Sequence, residues 1–188
     1  MDFLRGYHHE HEHHDYNAGA VPASGFRIKL STNVPLQRHE VERAGPPPCN
    51  DLDGSSIYVG SAIFTHEDGR PKHVQPGKVG HHLNPPCHVP YGGREIGHHG
   101  RYDILIIDHA MMEWVHTSHG RIPEGRTPVE GGYEENGDRL YHAIAHVDGV
   151  RVPGKTGHHL GSAHVAFGGQ EREIHENYEI LCWRRRDF

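Results

Sequence analysis

The sequence predicts an all-β fold: two tandem antiparallel β modules related by internal pseudo-symmetry, with a disordered His-rich N-terminal arm. Three observations predict it. First, the chain repeats itself, because Pro76-Gly77-Lys78-Val79-Gly80-His81-His82-Leu83 returns as Pro153-Gly154-Lys155-Thr156-Gly157-His158-His159-Leu160. Each copy runs on into Gly-Gly-x-Glu, at Gly92 to Glu95 and Gly168 to Glu171. Each closes on a strand-like run, Tyr102-Asp103-Ile104-Leu105 or Tyr178-Glu179-Ile180-Leu181. A unit of this length is too long for a solenoid repeat and too short for a large domain, so two small modules share one core. Second, 24 glycines and 13 prolines interrupt the chain so often that few windows can hold a three-turn helix. Third, short alternating runs end at turn residues, the pattern of hairpins.

Taken in order, residues 1–25 read as the flexible arm. They hold the tract His8-His9-Glu10-His11-Glu12-His13-His14-Asp15 and then a small, polar run. The first repeat spans 26–108. Phe26 to Leu30 alternates as a half-buried strand, Gly45-Pro46-Pro47-Pro48 is a stiff break, and Ser56 to Phe64 is a strand. Thr65 to Lys72 is a polar loop, and His73 to Val79 returns as a strand in which Pro76 marks an edge or a bulge. Ile104 to Val115, β-branched at its start, is expected to cross between the halves as one continuous strand rather than form a turn of helix at Ala110 to Glu113. The second repeat spans 109–188. Leu140 to Val147 and Val150 to Lys155 flank Asp148-Gly149, a strong hairpin signal.

Charge and composition remove several function classes. The net charge is -6, and no basic stripe precedes Arg184-Arg185-Arg186, which reads as a solvated tail, so no nucleic-acid partner is expected. No run approaches the roughly 18 apolar residues of a membrane span, so no membrane insertion is expected either. Met1-Asp2-Phe3-Leu4-Arg5 opens no apolar signal region, which points to the cytoplasm or to release without a classical signal peptide. Three widely spaced cysteines, Cys49, Cys87 and Cys182, suit reducing conditions. The 22 histidines, with ordinary pKa near 6.5, make the charge sensitive to mild acid.

Two literal motif matches are rejected. Gly149 to Thr156 satisfies the phosphate-loop pattern, but that loop needs a helix starting at its lysine, and Gly157-His158-His159-Leu160-Gly161 is poor helix material. His9-Glu10-His11-Glu12-His13 matches a zinc-peptidase motif, but within a low-complexity terminus. The pairs His81-His82, His98-His99 and His158-His159 are read as strand neighbours on opposite faces, one packed and one exposed, and no metal site is assigned to them. Lys78 and Lys155 follow Pro-Gly, read as a constrained turn that aims each ammonium. Upstream of each lie acids: Asp51 and Asp53 in one copy, Glu134 and Glu135 in the other. A carboxylate and an ammonium held side by side clamp a vicinal diol, one accepting from two hydroxyls and the other donating to their oxygens. An ordinary surface salt bridge is the competing interpretation.

The second copy runs through Trp114-Val115, Pro123, Gly132-Tyr133-Glu134, Leu140-Tyr141, Pro153-Gly154-Lys155, Gly168-Gly169-Gln170-Glu171 and Tyr178-Glu179-Ile180-Leu181. The first runs through Asp51, Ile57-Tyr58, Pro76-Gly77-Lys78, Gly92-Gly93-Arg94-Glu95 and Tyr102-Asp103-Ile104-Leu105. This order resembles the DM-nine repeat family, which includes mannose-binding lectins of molluscs. The first copy departs from it in lacking the opening tryptophan, and the second in carrying glutamate where aspartate is usual. The resemblance implies a tandem all-β fold, a homodimer, and a sugar held by Asp51 with Lys78 and by Glu134 with Lys155. On this basis the chain is expected to be a non-enzymatic, metal-independent lectin without cofactor or catalytic residues. It is expected to bind mannose-containing glycans for recognition or defence. The alternative is a histidine-rich protein whose interactions respond to metal or pH.

Overall fold

Apolar-polar alternation cut by glycine turns folds the chain into antiparallel ladders, as the computed structural model, which describes residues 20–186, makes explicit. The first half contains β1 (Arg27–Ser31), a short helix α1 (Arg38–Glu42), β2 (Cys49–Asn50), β3 (Ser56–Thr65), β4 (Pro71–Val79), β5 (Cys87–Tyr91), β6 (Arg94–Gly97) and β7 (Arg101–Leu105). The second contains β8 (Met112–Thr117), β9 (Thr127–Pro128), β10 (Glu130–Tyr133), β11 (Arg139–Val147), β12 (Val150–Thr156), β13 (Ala163–Phe167), β14 (Gln170–Ile174) and β15 (Tyr178–Trp183). The tight Asp148-Gly149 hairpin is present, with both residues at positive φ, 49° and 80°.

The strand order is β1-β7-β3-β4-β5-β6-β14-β13-β12-β11-β15-β8. It is a palindrome once β3 to β7 are equated with β11 to β15, and β1 with β8. The two copies meet at β6 and β14, where Arg94 pairs with Gln170. β2 pairs with β3 as β10 pairs with β11. β10 also reaches β4 through Tyr133 and Val74, which closes the circuit from β4 to β11 into a barrel. Lys78 sits between Val59 and His88 in its ladders, and Lys155 between His142 and His164, so the two lysines occupy equivalent strand positions. A lysine inside a strand also rules out the phosphate-loop match.

Pro-Gly is therefore not a turn. A Cβ on Gly77 would lie 2.3 Å from the His88 carbonyl oxygen, and one on Gly154 would lie 2.1 Å from that of His164. Glycine is required because β5 and β13 approach the backbone there, not because the chain reverses. Pro76 is tolerated because β4 changes neighbours around it. Its outer side pairs with β10 at Val74 and with β5 from Lys78 onward, so Pro76 faces neither ladder with its missing N–H.

Each repeat has an apolar centre: Tyr58, Val79, Tyr102 and Ile104 in the first, Ala143, Val152, Val165 and Tyr178 in the second. Val59, Leu105, Met112 and Leu181 join them. All three cysteines are free and buried. Arg27 ties β1 to both halves, donating to Asp103 Oδ1 (3.0 Å), Ser61 Oγ (3.2 Å), the Glu130 carbonyl (2.9 Å) and His142 Nε2 (2.9 Å). Burial, then the Arg27 charge, pushes the His142 pKa far down, so a neutral ring accepts from the guanidinium.

Several expectations need correction. Ile104 to Val115 is two strands, β7 and β8, because Asp108 caps a turn between them. Its carboxylate accepts from Ala110 N, and its carbonyl from Met111 N and Met112 N. The end of the expected arm is docked: Ala23 O accepts from Glu130 N (3.1 Å) and Trp183 Nε1 (3.3 Å). The His8 to Asp15 tract lies outside the described residues. Arg184 is not a free tail residue, since it donates to the His109 carbonyl and to Glu113. His81-His82 and His158-His159 lie in turns beyond their strands, and both members of each pair are exposed; only His98-His99 divides into one buried and one exposed ring.

Gly77→Ala and Gly154→Ala are each expected to destabilise the fold by at least about 1–3 kcal/mol, the cost of forcing atoms into a filled interior. Urea denaturation checks this, and an unchanged midpoint would contradict the close strand approach.

Candidate functional site

Each repeat builds the same constellation from four places. The acid comes from a tight turn: Asp51 N donates to Ser55 O in the first copy, and Glu134 N to Asp138 O in the second, both at 2.8 Å. The lysine comes from the strand interior, and the second histidine of the His-His pair folds back over a glycine. A Cβ on Gly80 would lie 2.7 Å from the His82 ring, and one on Gly157 would lie 2.8 Å from that of His159. The folded rings reach the acids, His82 Nε2 donating to Asp51 Oδ2 at 2.8 Å and His159 Nε2 to Glu134 Oε2 at 3.3 Å. The fourth member is the glutamate of Gly-Gly-x-Glu.

That glutamate is what the sequence reading left without a role. Glu95 Oε2 accepts from His88 Nδ1 at 2.6 Å and lies 3.4 Å from Lys78 Nζ. Glu171 Oε2 accepts from His164 Nδ1 at 2.9 Å and lies 3.9 Å from Lys155 Nζ. The other oxygen of each crosses to the opposite repeat: Glu95 Oε1 accepts from Gly169 N (3.2 Å) and Glu171 Oε1 from Gly93 N (2.9 Å). The aromatic at the end of each hairpin crosses too. Phe167 lies 5.9 Å from Lys78 Nζ, and Tyr91 lies 5.3 Å from Lys155 Nζ. Each site is thus assembled from both repeats.

The structure brings Asp51 and Lys78 to one cavity, and Glu134 and Lys155 to one hydrogen-bonded group. It does not pair acid and lysine directly. Lys78 and Lys155 are 5% and 3% exposed, so they are buried strand residues rather than surface loop ends. Asp53 caps its own turn at Ser55 N, and Glu135 faces Lys72 at 3.8 Å, so neither joins a site. Sequence reasoning missed His82, His88, Glu95, Phe167 and their counterparts, although Gly-His-His and Gly-Gly-x-Glu recur in the repeat and were the available signal.

Electrostatics keep Asp51, Glu95 and Glu171 ionised. Burial raises the Glu95 pKa, but the His88 hydrogen bond, the Lys78 charge and the Gly169 N–H together hold it at about 2. For Asp51, burial is likewise outweighed by His82, the Leu52 N–H and Lys78, and the pKa falls below its ordinary value. Glu171 is lowered in the same way, with His164 the leading counterweight to burial. Burial lowers Lys155, against the raising effect of Glu171 and Glu134. The first site opens on a cavity of about 450 Å³ bounded by Asp51, Lys78, His88, Glu95 and Phe167. It offers an ammonium donor, two carboxylates and an aromatic wall, a set suited to a polyhydroxylated ligand. Among the described residues, no group of three or more His, Cys, Asp or Glu side chains is arranged to hold a metal ion. No helix among them is long and apolar enough to cross a membrane.

A folded pKa below the ordinary 4.5 means that Glu95 stabilises the fold at pH above 4.5 and that this contribution is lost as pH falls toward about 2. The stability gap between the wild type and Glu95→Gln is therefore expected to be constant near neutral pH and to close over that acid window. Urea denaturation across the window checks it; a gap that widens on acidification would contradict the assignment.

Comparison with known proteins gives a family match and a fold match. The family model described as the DM9 repeat matches residues 51–174. Among solved structures, that of the nematode sperm cell motility protein MFP2B superimposes with a TM-score of 0.55 at 15% identity. The match covers 86% of this chain and 47% of that one, so the chain spans about half the length of MFP2B. At that identity the likeness shows the fold. The comparison with curated proteins returned no match.

Proposed function

The chain belongs to the DM9 repeat family, and on that premise we propose that it is a non-enzymatic carbohydrate-binding protein of the lectin type. The carrying observation is the open cavity in which Asp51, Lys78 and Glu95 converge beside the Phe167 ring. Lys78 donates to the oxygens of two neighbouring hydroxyls, and the ionised carboxylates accept hydrogen bonds from the same hydroxyls. Bonds of this charge-assisted kind are the stronger ones. Phe167 packs against the apolar face of the sugar ring. A rigid donor and acceptor select the relative orientation of neighbouring hydroxyls, so recognition is of a vicinal diol in fixed stereochemistry.

The mannose-type preference rests on the resemblance in the motifs, with Asp51 and Lys78 in one site and Glu134 and Lys155 in the other. Sugar recognition in this site uses the protein's own cation, whereas calcium-dependent lectins use a metal caged by several carboxylates. A shallow site binds one sugar weakly, so recognition of a glycan-coated surface, as in defence, draws on several sites presented together. Homodimerisation provides that multivalency.

Methyl α-mannoside titrated against the wild type is expected to give saturable binding that persists in excess EDTA. Asp51→Asn and Lys78→Met are each expected to weaken it at least tenfold, as loss of a charge-assisted bond worth about 1.5–3 kcal/mol requires. Circular dichroism of the variants separates lost binding from lost fold. Unaltered affinity in both folded variants, or binding abolished by EDTA and restored by metal, would overturn the proposal.

A further inference from the structure

The two sites differ at the residue before Pro-Gly-Lys, which is Gln75 in the first copy and Val152 in the second. Each of these side chains serves the opposite site. Val152 lines a crevice with Lys78, Asp51 and Phe167 and brings no polar atom to it. Gln75 enters the second site with a fully buried carboxamide, 0% exposed. Its Oε1 accepts from Lys155 Nζ at 2.7 Å, and its Nε2 donates to Glu134 Oε1 at 2.7 Å. The remaining amide proton points at His73 Nδ1, 3.1 Å away. The His73 ring is itself held between Phe64 (centroids 4.4 Å apart) and Tyr91 (5.1 Å), the same Tyr91 that faces Lys155.

A carboxamide accepting from the lysine and donating to the acid makes the two bonds that a pair of sugar hydroxyls makes in the proposed clamp. It engages both partners, so a ligand must first displace a buried group whose own polar atoms are all engaged. Among the described residues the first site has no such occupant: its lysine lies 3.4 Å from Glu95, and the cavity of about 450 Å³ stands beside it.

We infer that the two clamps are unequal: the second is closed by the chain's own Gln75, and the first is the one open to sugar. This rests on the reading of the clamp as a sugar site. It makes Gln75 the residue that sets the number of working sites per chain, and it shifts the burden of multivalency from the repeat to assembly of several chains.

Two backbone amides report the sites separately, since Gly169 N is bonded to Glu95 in the first and Gly93 N to Glu171 in the second. In an NMR titration of the wild type with methyl α-mannoside, the Gly169 signal is expected to shift and the Gly93 signal to stay still. Gln75→Val, which copies the first site's arrangement, is expected to bring Gly93 into the titration. Val152→Gln is expected to silence Gly169 and serves as the deciding variant if Gln75→Val fails to fold. Parallel shifts of both amides in the wild type would overturn the inference. So would a silent Gly93 in folded Gln75→Val, or a Gly169 response unchanged in Val152→Gln. If no chain responds to sugar, the functional reading fails while the closure stays testable on the ligand-free wild type. Slow hydrogen exchange of the Gln75 side-chain amide then supports it, and exchange at the rate of free amide contradicts it.

Discussion

Two carboxylates, Glu95 and Glu171, hold both the architecture and the site. Each accepts a hydrogen bond from a histidine of its own repeat, faces the lysine of its own repeat, and caps a backbone N–H of the other repeat's glycine turn. The backbone adds a second pair of crossed bonds, from Glu95 N to Gly169 O and from Glu171 N to Gly93 O. The hairpins are thereby exchanged across the pseudo-twofold axis, which is what carries Phe167 to Lys78 and Tyr91 to Lys155. A buried lysine is costly unless its charge is answered. Here the same glutamate that answers it also locks the two copies together, so neither module can complete its site alone.

The sites differ at Gln75 against Val152, and also in Glu134 against Asp51 and Tyr91 against Phe167. A strand position that is apolar in one copy and carries a carboxamide in the other leaves the ladders untouched, because only the side chain changes. Fold symmetry therefore survives where chemical symmetry does not. His73, buried and with its pKa lowered by desolvation, remains a neutral acceptor for the Gln75 amide and belongs to the same local arrangement.

How much of this was legible follows from the range of the interactions involved. The β3–β4 and β11–β12 hairpins were readable because alternation and the Asp148-Gly149 turn are local. Pro-Gly was misread as a turn because its glycine answers to strands β5 and β13, a neighbour the sequence does not display. The break at Asp108 was missed because β-branched residues continue up to it, and one capping carboxylate ends the strand. The repeat groups Asp51 with Lys78 and Glu134 with Lys155, and the structure brings each pair into one neighbourhood without direct contact between acid and lysine. Glu95 and Glu171 were visible as a motif, but their function depends on turns from the opposite copy. Gln75 falls outside the repeated block, and its partners Glu134 and Lys155 lie 59 and 80 residues away. Nothing local marks such a residue.

The proposed sugar site lies at the junction of the two repeats, around Lys78 and Glu95, and uses no metal. A crystal grown with EDTA and soaked with methyl α-mannoside tests it most directly. The expected result is one sugar per chain in the cavity between Asp51, Lys78 and Phe167, with two neighbouring hydroxyls bonded to the ammonium and a carboxylate. A sugar bound elsewhere, or bound here only through an added metal ion, would contradict it.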